Sequence, residues 1–168
     1  MKKIVFGAQT LSIEDIERIA KKECEIDLNR TPEFVKKINA GADFLDSMIA
    51  EHGAVYGVTT GYGDSCTKVV PSDSYYVLPV NLSRFHGCGL GEYFDAETTR
   101  AILAVRLVSL VQAYSGVSFN LVEALFNLLK HDILPRIPQE GSVGASGDLT
   151  PLSYVVAALI GERDVVLN

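Results

Sequence analysis

Apolar residues recur at helical spacing along most of this chain. Between residues 31 and 53, Phe34, Val35, Ile38, Ala42, Leu45, Met48 and Ile49 fall on one stripe. Thr31-Pro32-Glu33 ahead of them reads as a cap, a proline at the first helical position and an acid near the positive end. Gly53 stops the run. Gly41 inside it costs about 1 kcal/mol relative to alanine, so packing has to hold that helix. Ser12 with Asp15 three residues on opens a helix through Ile16 and Ile19 to Lys22. The clearest pattern, Ala96 to Tyr114, follows Asp95 as its cap. Its Ile102, Leu103, Val105, Leu107, Val108, Leu110 and Val111 cover more than one face, which predicts burial on most sides or a helix awaiting further partners. Ser118 opens another helix, through Leu121, Leu125, Leu128 and Leu129, that ends before Pro135.

Other stretches break the helical period. Lys3-Ile4-Val5-Phe6 is a short β-prone run ending at Gly7, an edge strand at most. Residues 54–76 are rich in Gly, Ser, Thr and Tyr and form a long irregular loop, and their aromatic and β-branched content favours an ordered, functional one. A helix resumes near Val77, passes His86 and breaks at Gly87, Gly89 and Gly91. A second loop, Pro135 to Thr150, leads into a final apolar helix, Leu152 to Ile160, which meets Gly161. No internal repeat, low-complexity tract or linker interrupts the chain. The expectation is a mainly α protein, with residues 1–168 a single domain of packed helices and two functional loops.

Composition narrows the classes. The 168 residues, 48% hydrophobic, suffice for one globular core. A net charge of −6 with no basic run argues against a nucleic-acid surface. Cys24, Cys66 and Cys88 are odd in number and far apart, which suits free thiols in a reducing cytoplasm and neither a disulfide framework nor a metal site. The apolar run after Met1-Lys2-Lys3 stops by Gln9, so no export signal is expected. Ala101 to Val111, interrupted by Arg106, is too short to span a bilayer. Gly87-x-Gly89-x-x-Glu92 fails the dinucleotide fingerprint at its last glycine. Ser146 is not in a G-x-S-x-G elbow, since Asp148 replaces the last glycine.

The stretch richest in chemistry is Gly141-Ser142-Val143-Gly144-Ala145-Ser146-Gly147-Asp148-Leu149-Thr150-Pro151. Glycines at 141, 144 and 147 permit bends that a Cβ would forbid, and an apolar helix follows at once. One reading is a tight turn capped by Ser146 or Asp148. The other follows from the backbone itself. If the nitrogen of Gly147 is pressed onto the carbonyl carbon of Ala145, a five-membered ring closes. Loss of water, including the Ser146 hydroxyl, then leaves a methylene conjugated with a carbonyl, an electrophile that no ordinary side chain supplies.

Gly144 to Leu149 followed by Pro151-Leu152-Ser153 resembles the signature of the aromatic amino acid ammonia-lyases and aminomutases, in which Ala-Ser-Gly becomes 4-methylidene-imidazol-5-one (MIO). Tyr56-Gly57-Val58-Thr59-Thr60-Gly61-Tyr62-Gly63 is similar to the family's catalytic-tyrosine segment, and Asn81-Leu82-Ser83-Arg84-Phe85-His86 to its substrate-selectivity segment. The likeness runs through nearly the whole chain. It implies the helical N-terminal domain of the ammonia-lyase fold (fumarase/aspartase-like superfamily), here the first part of an enzyme of roughly 500 residues. It also implies a cytoplasmic homotetramer that acts on a small aromatic amino acid and uses MIO but no metal or nucleotide.

The same resemblance assigns residues. Ala145, Ser146 and Gly147 supply the MIO ring, Asp148 assists its closure, and Tyr56 takes the β-proton of the substrate. His86, Phe85, Gly63 and Asn81 face the substrate, with Ser142 and Ser153 in support and Tyr62 structural. His86 resembles the histidine enzymes, whose pair here is Ser-His. Phe85 departs from that pattern and resembles the phenylalanine enzymes. The expected reaction is loss of ammonia from L-histidine to give trans-urocanate. A tyrosine or phenylalanine ammonia-lyase, or a 2,3-aminomutase, is the alternative within the class. A non-catalytic helical or assembly module is the alternative outside it, since a piece of such an enzyme is expected to be inactive alone.

Overall fold

The computed structural model describes residues 2–144 and 149–167. Ala145, Ser146, Gly147 and Asp148, the four residues on which the ring chemistry rests, lie outside the described residues.

The helices are α1 (Ile13–Ala20), α2 (Pro32–His52), α3 (Val77–His86), α4 (Ala96–Leu110), α5 (Phe119–Lys130) and α6 (Leu149–Leu159). Short strands are β1 (Lys3–Phe6), β2 (Glu25–Leu28), β3 (Leu90–Tyr93), β4 (Ile133–Pro135), β5 (Pro138–Glu140) and β6 (Val165–Leu167). They form two-stranded ribbons only: β1 with β2 in parallel, β3 with β5 and β4 with β6 antiparallel. The protein is mainly α, as its periodicity predicts.

The predicted caps close the helices through their side chains. Ser12 Oγ accepts the Asp15 amide at 3.2 Å while the Asp15 carboxylate accepts the Ser12 amide at 3.3 Å. Thr31, Asp95 and Ser118 accept the amides of Phe34, Thr98 and Leu121. Each such cap contributes about 1 kcal/mol. Gly53 ends α2 in the left-handed conformation at φ +70°.

The first strand lies where expected, as one edge of a two-stranded ribbon; Ile4 and Phe6 are fully buried, and its parallel partner, Glu25–Leu28, is one that no sequence pattern announces. Two expectations need correction. The helix expected to reach Tyr114 stops at Leu110, because Ala113 turns left-handed at φ +65° and Tyr114 is turned out to solvent. The Pro135–Thr150 loop carries β5, which pairs with β3 just beyond the glycines after α3.

The core gathers Ile4 and Phe6 of β1, Ile38 of α2, Leu103 and Leu107 of α4, and Val122 and Phe126 of α5, all fully buried. Each contributes about 1.5–3 kcal/mol relative to exposure. Phe6 and Phe126 meet edge-on at 6.3 Å. Gly41 is explained by packing: a Cβ there would come within 3.1 Å of the Ser115 carbonyl oxygen, where the α4–α5 connection crosses α2. Asp132, left-handed at φ +55°, is buried and receives Arg100 Nε at 2.7 Å and a second Arg100 N–H at 3.3 Å, with Lys22 as a further partner. Arg100 also donates to the Ala20 carbonyl at 2.8 Å, so one carboxylate ties together α1, α4 and the end of α5. α3 lies along α6, and that packing builds the site.

Candidate functional site

Beyond α2 the chain enters residues 54–76, and threonines make that stretch rigid. Thr59 is fully buried; its Oγ1 accepts the Val55 amide at 2.8 Å and donates to the Gly53 carbonyl at 2.9 Å. Thr60 Oγ1 accepts the Gly57 amide at 3.2 Å and donates to the Gly61 carbonyl at 2.9 Å. Thr60 also bridges to Val69, and the Val70 amide reaches the Thr59 carbonyl at 2.9 Å. The irregular loop is thus a closed, hydrogen-bonded unit, as its composition suggests.

Its two tyrosines differ in environment. Tyr62 is half-buried and its hydroxyl donates to the Gly57 carbonyl at 3.0 Å. Burial, with a contribution from neighbouring Tyr56, pushes the Tyr62 phenol above its ordinary value, so it stays a protonated donor. Tyr56 is 65% exposed, packs edge-on against Tyr62 at 6.4 Å, and its phenolic oxygen accepts the Gly63 amide at 3.2 Å.

The loop, α3 and α6 enclose a cavity of about 740 Å³. Gly57, Val58 and Tyr62 line it from the loop, Leu82, Ser83 and His86 from α3, and Leu149, Leu152 and Ser153 from α6. Tyr75, Tyr76, Asp46 of α2 and Arg106 of α4 complete its walls. His86, at the last position of α3, is half-buried with its ring 5.5 Å from that of Phe85. Phe85 is 78% exposed and Asn81 is exposed on α3; neither lines the cavity. Gly63 is placed beside Tyr56 through its amide. Sequence reasoning did not single out Tyr75, Tyr76, Asp46 or Arg106 as site residues. A lone arginine in the apolar run of α4 was the available signal for the last of these.

The C-terminal end of α3 is clamped to α6. The Gly87 carbonyl accepts both the Tyr154 hydroxyl at 3.2 Å and the Arg163 guanidinium at 2.6 Å. Arg84 grips Glu162 with two N–H groups, one at 2.8 Å. Among the described residues no cluster of His, Cys, Asp or Glu is placed to hold a metal ion, and no helix is long and apolar enough to cross a membrane.

The sequence profile of the aromatic amino acid lyases matches residues 11–168. The chain belongs to the aromatic amino acid lyase family. Among relatives within it, a histidine ammonia-lyase of Macrococcus caseolyticus is 36% identical over 163 residues, which is 97% of this chain and 32% of that protein. Several solved structures superpose closely. The ergothioneine-degrading ergothionase of Treponema denticola does so with a TM-score of 0.90 at 30% identity, over 99% of this chain and 33% of that one. A tyrosine aminomutase of Streptomyces globisporus gives 0.86 at 32% identity, over 99% and 31%. The chain therefore spans about a third of the length of these relatives.

Proposed function

We propose that this chain is the N-terminal, MIO-bearing domain, residues 1–168, of a histidine ammonia-lyase that converts L-histidine to trans-urocanate and ammonia in the cytoplasm, as a homotetramer. The observation that carries the reading is the shared cavity. It joins His86, the loop residues Gly57 and Val58 that follow Tyr56 (itself not among the lining residues), and the first turn of α6, which begins two residues after the Ala145-Ser146-Gly147 tripeptide.

The flanks of the tripeptide suit ring formation. Gly141 has φ +148°, and a Cβ on it would meet the Thr150 methyl at 2.7 Å and the Gly89 Cα at 3.1 Å. Gly144 follows at φ +71°. The main chain thus approaches α6 by a path that only glycine accepts, as a compressed loop requires. Cyclised, Ala145, Ser146 and Gly147 would hold MIO, with Asp148 beside them. The chemistry that the group supplies is electrophilic capture of the substrate amine, which makes it a better leaving group.

The other roles belong to side chains. His86 hydrogen-bonds the substrate imidazole and fixes its orientation. Tyr56 accepts the β-proton, its oxygen positioned by the Gly63 amide. Tyr62 stays protonated and braces the loop, and Tyr75 lines the cavity beside it. Tyrosine or phenylalanine lyase or 2,3-aminomutase activity is the second reading, and Phe85 beside the His86 ring is the observation that favours it.

Product analysis with the intact enzyme that contains this chain separates these readings. Urocanate from histidine supports the first; a coumarate, a cinnamate or a β-amino acid from tyrosine or phenylalanine, with no urocanate, overturns it. The 168-residue chain alone is expected to be inactive, because it represents about a third of the family fold. Its intact mass shows whether two waters have been lost and the ring has closed.

A further inference from the structure

Near the C-terminal ends of α3 and α6 lies a recess of about 350 Å³, separate from the cavity. Three guanidinium groups line it: Arg84 of α3, Arg136 between β4 and β5, and Arg163 after α6. Two of them lie over tyrosines, Arg136 on Tyr93 and Arg163 on Tyr154, each 4.2 Å from the ring centroid. Stacking of this kind holds a guanidinium plane in place and leaves its N–H edge free for an acceptor.

The charges do not balance. Glu162 is engaged by its two-pronged pair with Arg84. Arg163 gives one N–H to the Gly87 carbonyl. Arg136 makes no side-chain hydrogen bond or ion pair among the described residues. Asp164 is the only other carboxylate lining the recess. Three cations against two anions leave an excess of one positive charge, with donors converging from three separate segments.

We infer that this recess is a binding site for a small tetrahedral oxyanion of the phosphate class, held by Arg136 and the free N–H edges of Arg163 and Arg84. Guanidinium groups from three separate segments suit an ion that carries acceptors on every side; a planar carboxylate would engage one fork only. The recess and the cavity share no lining residue, but both are built on α3 and α6. Arg84 neighbours Ser83 and is one turn or less from His86, and Tyr154 neighbours Ser153, so the bound ion braces the two helices that carry the cavity residues. The inference does not depend on the lyase reading.

Thermal unfolding of the 168-residue chain in inorganic phosphate, against sodium chloride at matched ionic strength, tests it, with titration calorimetry for affinity. Phosphate is expected to raise the midpoint above the chloride control, as a ligand of the native state does. Arg136→Gln, at an exposed position that leaves the core untouched, is expected to weaken phosphate binding by about tenfold or more. Arg136→Lys is expected to recover part of the affinity, and Asp164→Asn to tighten binding by removing the competing carboxylate. Phosphate also stabilises proteins by exclusion from their surface, which is insensitive to Arg136. A shift equal in wild type and Arg136→Gln, or none beyond chloride in wild type, overturns the inference.

Discussion

The phenolic oxygen of Tyr56 accepts the amide hydrogen of Gly63 at 3.2 Å, closing a ring of main chain around the two buried threonines. Gly63 is left-handed at φ +56°, and nothing lies within 4 Å of where its Cβ would be. Gly63→Ala therefore acts through the backbone alone and is expected to destabilise by about 1–2 kcal/mol. Tyr56→Phe keeps the exposed ring and is expected to leave the unfolding midpoint in place. With Tyr56 in the proposed proton-transfer role, the same change is expected to lower kcat of the intact enzyme about 10²–10⁴-fold. Calorimetry beside steady-state kinetics separates the two effects; a Tyr56→Phe enzyme with unchanged kcat removes Tyr56 from proton transfer.

Specificity is expected to reside at His86 more than at Phe85. His86 lines the cavity, and Phe85 faces solvent. His86→Leu should cut kcat/KM for histidine by about 1–3 kcal/mol in transition-state terms, the value of one hydrogen bond removed from a pocket. Phe85→Ser should change it by less. Competition assays with histidine, phenylalanine and tyrosine give both numbers, and the reverse order would show that the intact enzyme turns Phe85 inward.

Stability in acid is expected to follow Asp132 and Asp27. Burial pushes the Asp132 carboxyl up, but Arg100 and Lys22 outweigh it and hold it below its ordinary value. The hydrogen bond from Lys3, helped by the Leu28 amide, lowers Asp27 to about 2. Both contributions are complete above the unfolded-state aspartate value of about 3.9 and are lost as pH falls through the lower native values. Asp132→Asn keeps a residue that tolerates φ +55° yet removes the charge facing Arg100. The expected cost at pH 7 is about 3–5 kcal/mol, as for a broken buried pair. Urea titrations from pH 7 down to pH 2 should show the gap between wild type and Asp132→Asn closing only at the acid end.

Thiol labelling should divide the cysteines. Cys66 and Cys88 are exposed, whereas Cys24 is buried in the core beside β2 with its thiol pushed up by burial. Two thiols are expected to react in the native chain and the third only on unfolding. Reaction of all three without denaturant would mean that β1–β2 opens readily.

The helices were legible because each announces itself locally. Ser12, Thr31, Asp95 and Ser118 stand where caps must, and the apolar stripes after them give the buried faces. Of the strands, only Lys3–Phe6 was legible. Glu25-Ile-Asp-Leu has no alternation strong enough to declare itself, and it becomes a strand because Lys3–Phe6 lies alongside. β3 with β5 and β4 with β6 depend likewise on partners distant in sequence. At the site, motif likeness pointed to His86 and to the loop around Tyr56. Tyr75, Tyr76 and Arg106 join the cavity from segments apart from those motifs, and only tertiary packing brings them together.

The single carbonyl of Gly87, gripped by Tyr154 and Arg163, works as a hinge pin between two levers. One lever ends in Phe85 and His86, the pair proposed to set substrate choice, and the other begins two residues beyond Gly147. Evolution cannot retune the first without tugging on the second. Descendants that change diet by altering positions 85 and 86 should therefore carry compensating changes at 154 or 163, far from anything the substrate touches.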